Sequence, residues 1–405
     1  MRLHGNGNEI DMRKIAIPGA FCLFLSTIEY LIPKPMPFMR LGLANLPLLL
    51  ALEMPPSYVA LLCLVKIFGQ SLISGTLFSY IFLFSASGTI FSCALMYVIR
   101  RFVPQKMISF VGISMAGAFT SNMIQIVLAR FFIFGKSAIF IAPPFLAMGL
   151  VTGAALGFFC TKFTACSVWY KKHFRSGYDE IAIMEKKTIG VETSDKTGKK
   201  TPRQTKKNRK KFMLFSTKEF YPIDLFIAGV IMILLLLFNH STAGRLLLFA
   251  LYFIYAFCTG KSGSIFSVLL FFTIIVFFNL LNPFGKVLFS LGSFRITEGA
   301  LESGLRKAAT VEALIMMSRF SISNALNIPG KFGSLLNESF KILFVINENK
   351  NRITAKNFIS DIDALLLELN DRTHQNTDIK TKRTVKYTIL LLLPVLLSLT
   401  VFLLF

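Results

Sequence analysis

Residues 67–99 read IFGQSLISGTLFSYIFLFSASGTIFSCALMYVI and contain no charged side chain. A single helix of that length would run to about 50 Å at about 1.5 Å per residue, against about 30 Å of bilayer hydrocarbon. The stretch therefore has to break and pass twice. Small and polar residues in Gly69–Gly75 (GQSLISG) permit the break, and it is expected there. Lys66 precedes the stretch, and Arg100 and Arg101 stop it.

The rest of the chain has the same character. Of 405 residues 54% are hydrophobic and 16% charged, which excludes a soluble protein of this length and points to a polytopic, all-α integral membrane protein. The formal charge of +23 sits mainly in loops, so it reports orientation and contact with anionic lipid rather than nucleic acid. The six cysteines lie mostly inside apolar runs without a CxxC pair and read as small core residues. The four histidines are scattered, and no metal centre or cofactor is expected.

Upstream, Arg13 and Lys14 precede the apolar run Ile15–Ile32, read as an uncleaved first helix with its N-terminus in the cytoplasm. Two runs follow, Leu41–Leu52 and Met54–Val65, both shorter than the roughly 17–25 residues that span a bilayer. They are either half-helices or tilted helices completed by polar flanks. The first overlaps Arg40–Pro47 (RLGLANLP), whose Gly, Asn and Pro suit non-helical backbone. In lipid, such backbone survives only against protein or a wet cavity. Downstream, Met107–Ala129 and Ser137–Thr161 are further spans, giving about six crossings by residue 169.

Residues 171–218 hold 15 Lys and Arg against 5 Asp and Glu, and the section TSDKTGKKTPRQTKKNRKK lacks any apolar side chain. It reads as a disordered basic linker on the cytoplasmic leaflet, between a membrane domain at 1–170 and a second at 219–405. The second domain opens with apolar runs from Leu225, Leu246 and Ser262. It continues through a charged segment, 294–383, expected to be cytoplasmic, and closes with Tyr387–Phe405.

The polar residues at membrane depth form a candidate solute site. Asn45, Lys66, Gln70 and Ser74 come from the irregular stretches, with Gln70 and Ser74 four apart on one helical face. Lys66 either snorkels to the interface or serves the site. Asn122 and Gln125 share one face of the next span and must turn into the bundle, either to bond another helix or to meet the solute. Gly149, Gly153 and Gly157 form a tandem GxxxGxxxG suited to close helix packing. Gly260-Lys261-Ser262 resembles the end of a phosphate-binding loop, but Tyr255 stands where that motif needs glycine. A clustered DDxxD motif is also missing, with Asp361 and Asp363 isolated on a helix, so no catalytic residue is assigned.

In the charged segment, Ile359, Ile362, Leu365, Leu366 and Leu369 recur at helical spacing, and Glu298, Glu302 and Arg306 stack at four-residue intervals. These helices either pack internally or present a docking surface for a soluble partner, with Glu302, Arg306, Arg319, Ile362 and Leu366 as its candidate residues.

RLGLANLP, GQSLISGTLFS, FLFSASGTIFSCALM, GISMAGAFTSNMIQ and APPFLAMGLVTG, in order over residues 13–168, resemble the family known as heptaprenyl diphosphate synthase component I. It is also called the Gx transporter family and is grouped with the substrate-binding (S) subunits of energy-coupling-factor transporters. The second half is more loosely similar in architecture to their transmembrane coupling (T) subunits. The resemblance implies an S-like bundle of about six helices fused to a T-like domain in the bacterial inner membrane. It implies uptake of a small solute, with ATP hydrolysed by separate subunits docking on 294–372. The family's name implies instead a membrane accessory of polyprenyl diphosphate synthesis, in which Lys66 and Arg130 would meet a diphosphate.

Overall fold

The computed structural model describes residues 2–3, 10–32, 41–104, 106–174, 221–259, 265–291, 294–321, 330–354, 357–371 and 385–405. Arg40, the basic linker from residue 175 and the Gly260-Lys261-Ser262 stretch lie outside them. The described chain is almost wholly helical, apart from two short antiparallel pairs, β1 (Arg2–Leu3) with β2 (Ile10–Asp11) and β3 (Val287–Leu291) with β4 (Phe294–Thr297).

Six segments make the first bundle. They are α1 (Met12–Leu31), a broken pass at 43–53 built from two 3-10 turns around α2 (Leu46–Leu50), α3 (Pro56–Ser74), α4 (Tyr80–Phe102), α5 (Phe110–Ala129) and α6 (Ala138–Cys166). Leu41–Leu52 is thus a broken pass, whereas Met54–Val65 becomes the start of a full helix. The uncharged stretch breaks where GQSLISG ends. Gly75 takes φ +63 and caps α3, its N–H bonding Leu72 O at 3.3 Å while Thr76 N–H bonds Ser71 O at 2.9 Å. Among the described residues, Pro56–Ser74, Tyr80–Phe102 and the run Phe110–Cys166 are long and apolar enough to cross a membrane. The last is divided into α5 and α6 by a π turn at Arg130–Phe134 and a reversal at Gly135, φ +58.

The glycine triplet lies along the α5–α6 contact. A methyl at Gly153 would sit 2.8 Å from Ala118 Cβ, and one at Gly157 would meet the backbone of Val111. The second bundle is built from α8 (Pro222–Phe238), α9 (Thr242–Cys258), α10 (Ile265–Leu280), α11 (Glu298–Ser321) and α14 (Val385–Leu404). In α11 Ala308–Ser318 is buried among α8, α9 and α10, so the charged segment expected to be cytoplasmic from residue 294 contributes its first helix to the bundle interior.

α12 (Gly330–Glu348) and α13 (Phe358–Asp371) leave the second bundle and pack on the first. Leu335, Leu336 and Ile346 join one apolar core with Ile15, Phe21 and Leu23 of α1, and Ser339 fills the space left by Gly19. Ile362, Leu365, Leu366 and Leu369 are buried in the same core. At roughly 1.5–3 kcal/mol for each such side chain, this stripe is an internal contact and not a surface held open for a partner. Asp363 of the same helix is turned inward as well. It is 8% exposed and accepts the backbone N–H groups of Val168 (3.0 Å) and Trp169 (2.9 Å) and the Ser167 hydroxyl, capping α7 (Val168–Phe174).

Pro18, inside α1, has no N–H for the carbonyl of Lys14 four residues before it. That carbonyl instead accepts the Tyr58 hydroxyl at 2.6 Å and lies 2.8 Å from His173 Nε2. One missing backbone donor thereby ties α1, α3 and α7 together.

Two stability measurements follow. Asp363→Ala should cost about 1–3 kcal/mol, read as a lower thermal midpoint of the detergent-purified chain, because a charged cap is lost from inside a packed contact. An unchanged midpoint would sink the cap's role. Burial lowers the His173 pKa from the usual 6.5 to about 4, so the folded protein keeps the ring neutral. Its stabilising contribution is complete above pH 6.5 and is lost as the pH falls toward 4, because the unfolded chain takes up the proton first. The midpoint should drop more steeply across that window in the natural chain than in His173→Asn, and parallel curves would refute this.

Candidate functional site

The site begins with chain breaks. Gly42 adopts φ +82, and the turn after it is closed by Asn45 N–H on Gly42 O at 2.8 Å. This sets Leu41 N–H on the Glu29 carboxylate at 2.9 Å and aims the Asn45 amide oxygen at Lys66 Nζ. Lys66 also donates to Thr89 Oγ1 of α4 at 3.3 Å. At 4% exposure its ammonium does not snorkel to an interface.

On α5 the polar face turns inward. Asn122 donates to Phe145 O of α6 at 2.9 Å, and Gln125 donates to Ser121 Oγ at 3.1 Å. Glycines on both neighbouring helices make the room. A methyl at Gly88 of α4 would meet Ser121 Oγ at 2.7 Å, and one at Gly149 of α6 would strike the Asn122 amide. The glycine stripe thus packs α6 along most of its length and admits a site residue at its end.

These groups line one small pocket, part of it open to the outside. Every segment of the first bundle contributes, with Glu29, Asn45, Lys66, Thr89, Gln125 and Thr152 as one polar residue from each. Two amide oxygens there, Gln70 Oε1 and Gln125 Oε1, are buried without a hydrogen-bond partner, on side chains 7% and 1% exposed as residues. Buried polar atoms are costly when unpaired, so both are positioned to accept from something that enters. Among the described residues no three His, Cys, Asp or Glu side chains gather to hold a metal.

Five of the six expected solute residues, Asn45, Lys66, Gln70, Asn122 and Gln125, line this pocket. Ser74 does not. Its hydroxyl bonds Gln70 O at 2.9 Å and Thr76 Oγ1 at 2.7 Å at the end of α3. Arg130, expected beside Lys66, is exposed and outside the lining. Of the expected docking residues, Ile362 and Leu366 are buried as described, and Arg319 is half-buried against Gly75. Glu302 and Arg306 are exposed, Glu302 accepting from Thr242 at 2.8 Å. Sequence reasoning missed Glu29, Thr89, Ser121 and Thr152. A lone acid inside the apolar run Ile15–Ile32 was the available signal for Glu29. Gly149→Ala should lower the thermal midpoint by the equivalent of about 1–3 kcal/mol, because it displaces the Asn122 amide from Phe145 O. Asn122→Ala on that background should recover part of the loss, and strict additivity in the double-mutant cycle would refute the contact.

Residues 19–163 match the family described as heptaprenyl diphosphate synthase component I. Residues 225–324, from α8 to just past α11, match a domain of unknown function, DUF8519. No curated protein and no solved structure matches the chain. Every pocket-lining residue, from Glu29 to Thr152, falls inside the first match. The first bundle of this membrane protein is thus similar in sequence to heptaprenyl diphosphate synthase component I.

Proposed function

We propose that the chain is a non-catalytic membrane component of polyprenyl diphosphate synthesis, working beside a soluble synthase subunit in the bacterial inner membrane. The observation that carries this reading is that every described residue lining the pocket lies in the segment matching heptaprenyl diphosphate synthase component I. The bundle supplies a ligand site, and prenyl chain growth belongs to the partner. Among the described residues that line the pocket Lys66 is the only basic one and Glu29 lines it too, while Arg130 lies outside. The diphosphate is therefore assigned to the synthase subunit. The N-terminus and the basic linker are placed on the cytoplasmic side by their positive charge, with anionic lipid as the linker's partner.

A second reading is favoured by the way α12 and α13 from the second half grip α1 of the pocket-bearing half. In it, an S-like domain at 1–170 is fused to a T-like domain at 219–405, and the chain takes up a small solute with ATP hydrolysed by separate subunits.

Co-expression separates the two. Under the first reading, the full chain copurifies with the soluble prenyl synthase of the same genome and raises its product yield in membranes. Recovery of ATPase subunits instead, with synthase activity unchanged, would reject it in favour of uptake.

A further inference from the structure

The pocket's chemistry goes further than the family description. Among its described lining residues it holds one carboxylate, Glu29, and one ammonium, Lys66, on different segments of one cavity. Between them stand neutral amides and hydroxyls, and the buried Gln70 Oε1 and Gln125 Oε1 have no partner. An amide oxygen is satisfied only by a donor. A diphosphate at neutral pH offers acceptors and several negative charges. It would place its charge in one pocket with a carboxylate. A prenyl tail would leave both amide oxygens unpaired.

We propose that the pocket binds a compact zwitterion of the amino-acid type, its ammonium toward Glu29 and the two glutamine oxygens, its carboxylate toward Lys66. Both ends of such a ligand find an opposite charge and hydrogen-bonding partners, as removal from water at membrane depth requires. This assignment rests on the pocket being the ligand site of the component proposed above. It is separable from the synthase partnership.

The test uses the full chain purified in detergent. Thermal unfolding is followed with each proteinogenic amino acid, and separately with inorganic pyrophosphate and farnesyl diphosphate. At least one amino acid should raise the midpoint, and titration should give a saturable dissociation constant. Glu29→Gln keeps the side-chain shape and an oxygen for Leu41 N–H, so it should fold. It should weaken the amino acid roughly tenfold or more, whereas a pyrophosphate site would be strengthened by the same change. Gln70→Leu should weaken the amino acid in the same direction. Protection by pyrophosphate or farnesyl diphosphate alone, response to neither set, or amino-acid binding indifferent to Glu29→Gln would each overturn the assignment. Synthase stimulation that survived such a result would remove only the ligand and leave the partnership standing.

Discussion

A buried ammonium is the constraint around which the first bundle is arranged. Leaving Lys66 charged at membrane depth costs several kcal/mol unless its protons are satisfied and an opposite charge is close. Asn45 and Thr89 take its hydrogen bonds, and Glu29 lines the same cavity. Asn45 reaches it from the turn that follows Gly42, which a side chain would strain at φ +82. The broken pass at 43–53 is thus what brings an amide oxygen to the lysine. The glycines of α4 and α6 serve the same end, since Gly88 and Gly149 leave the volume that the polar face of α5 fills. Polar satisfaction and close packing are here one requirement.

The opposite end of α1 is organised by another backbone exception. Pro18 frees the Lys14 carbonyl, and Tyr58 and His173 occupy it. Next to it, Asp363 brings α13 onto the start of α7, and Trp169 packs edge-on against Phe21 at 6.5 Å. α1 consequently runs from a proline-made polar node at one end to Glu29 and the pocket at the other, with Ser339 of α12 fitted at Gly19 between them. The tip of the first bundle is also held, through Phe78 N–H on the Ser318 hydroxyl at 3.0 Å and Asn279 on Ile133 O at 3.0 Å. The two halves touch along α1 and again at the loops beside the pocket.

Much of this was written in the sequence. The uncharged run 67–99 demanded a break, and Gly75 provides it, because helix length against bilayer thickness is a strict geometric limit. Asn122 and Gln125 were legible on a different ground, as amides that could not face lipid. Glu29 was overlooked because one acid hardly alters the hydropathy of a long apolar run, although a lone charge there is itself the signal. Ser74 lies outside the described lining because a four-residue spacing gives a shared face without saying which residue reaches the cavity; its hydroxyl turns back to Gln70 O. Asp363 was unreadable in principle. A cap supplied to α7 from a helix almost two hundred residues later leaves no local pattern.

The amphipathic stripe of α13 shows how far such patterns reach. Periodicity established that Ile362, Leu365, Leu366 and Leu369 must meet an apolar surface, and said nothing about whose. The surface belongs to the chain itself, so a partner approaching α12 and α13 meets their other sides. Those sides carry the exposed Phe344 and the Arg352–Glu368 pair at 3.3 Å. An exposed pair of this kind adds at most about 1 kcal/mol, so it does not hold α13 in place. The helix is held by its apolar stripe and by Asp363. Both attach it to the pocket-bearing half, so a subunit pulling on α13 would pull on the helices that line the pocket.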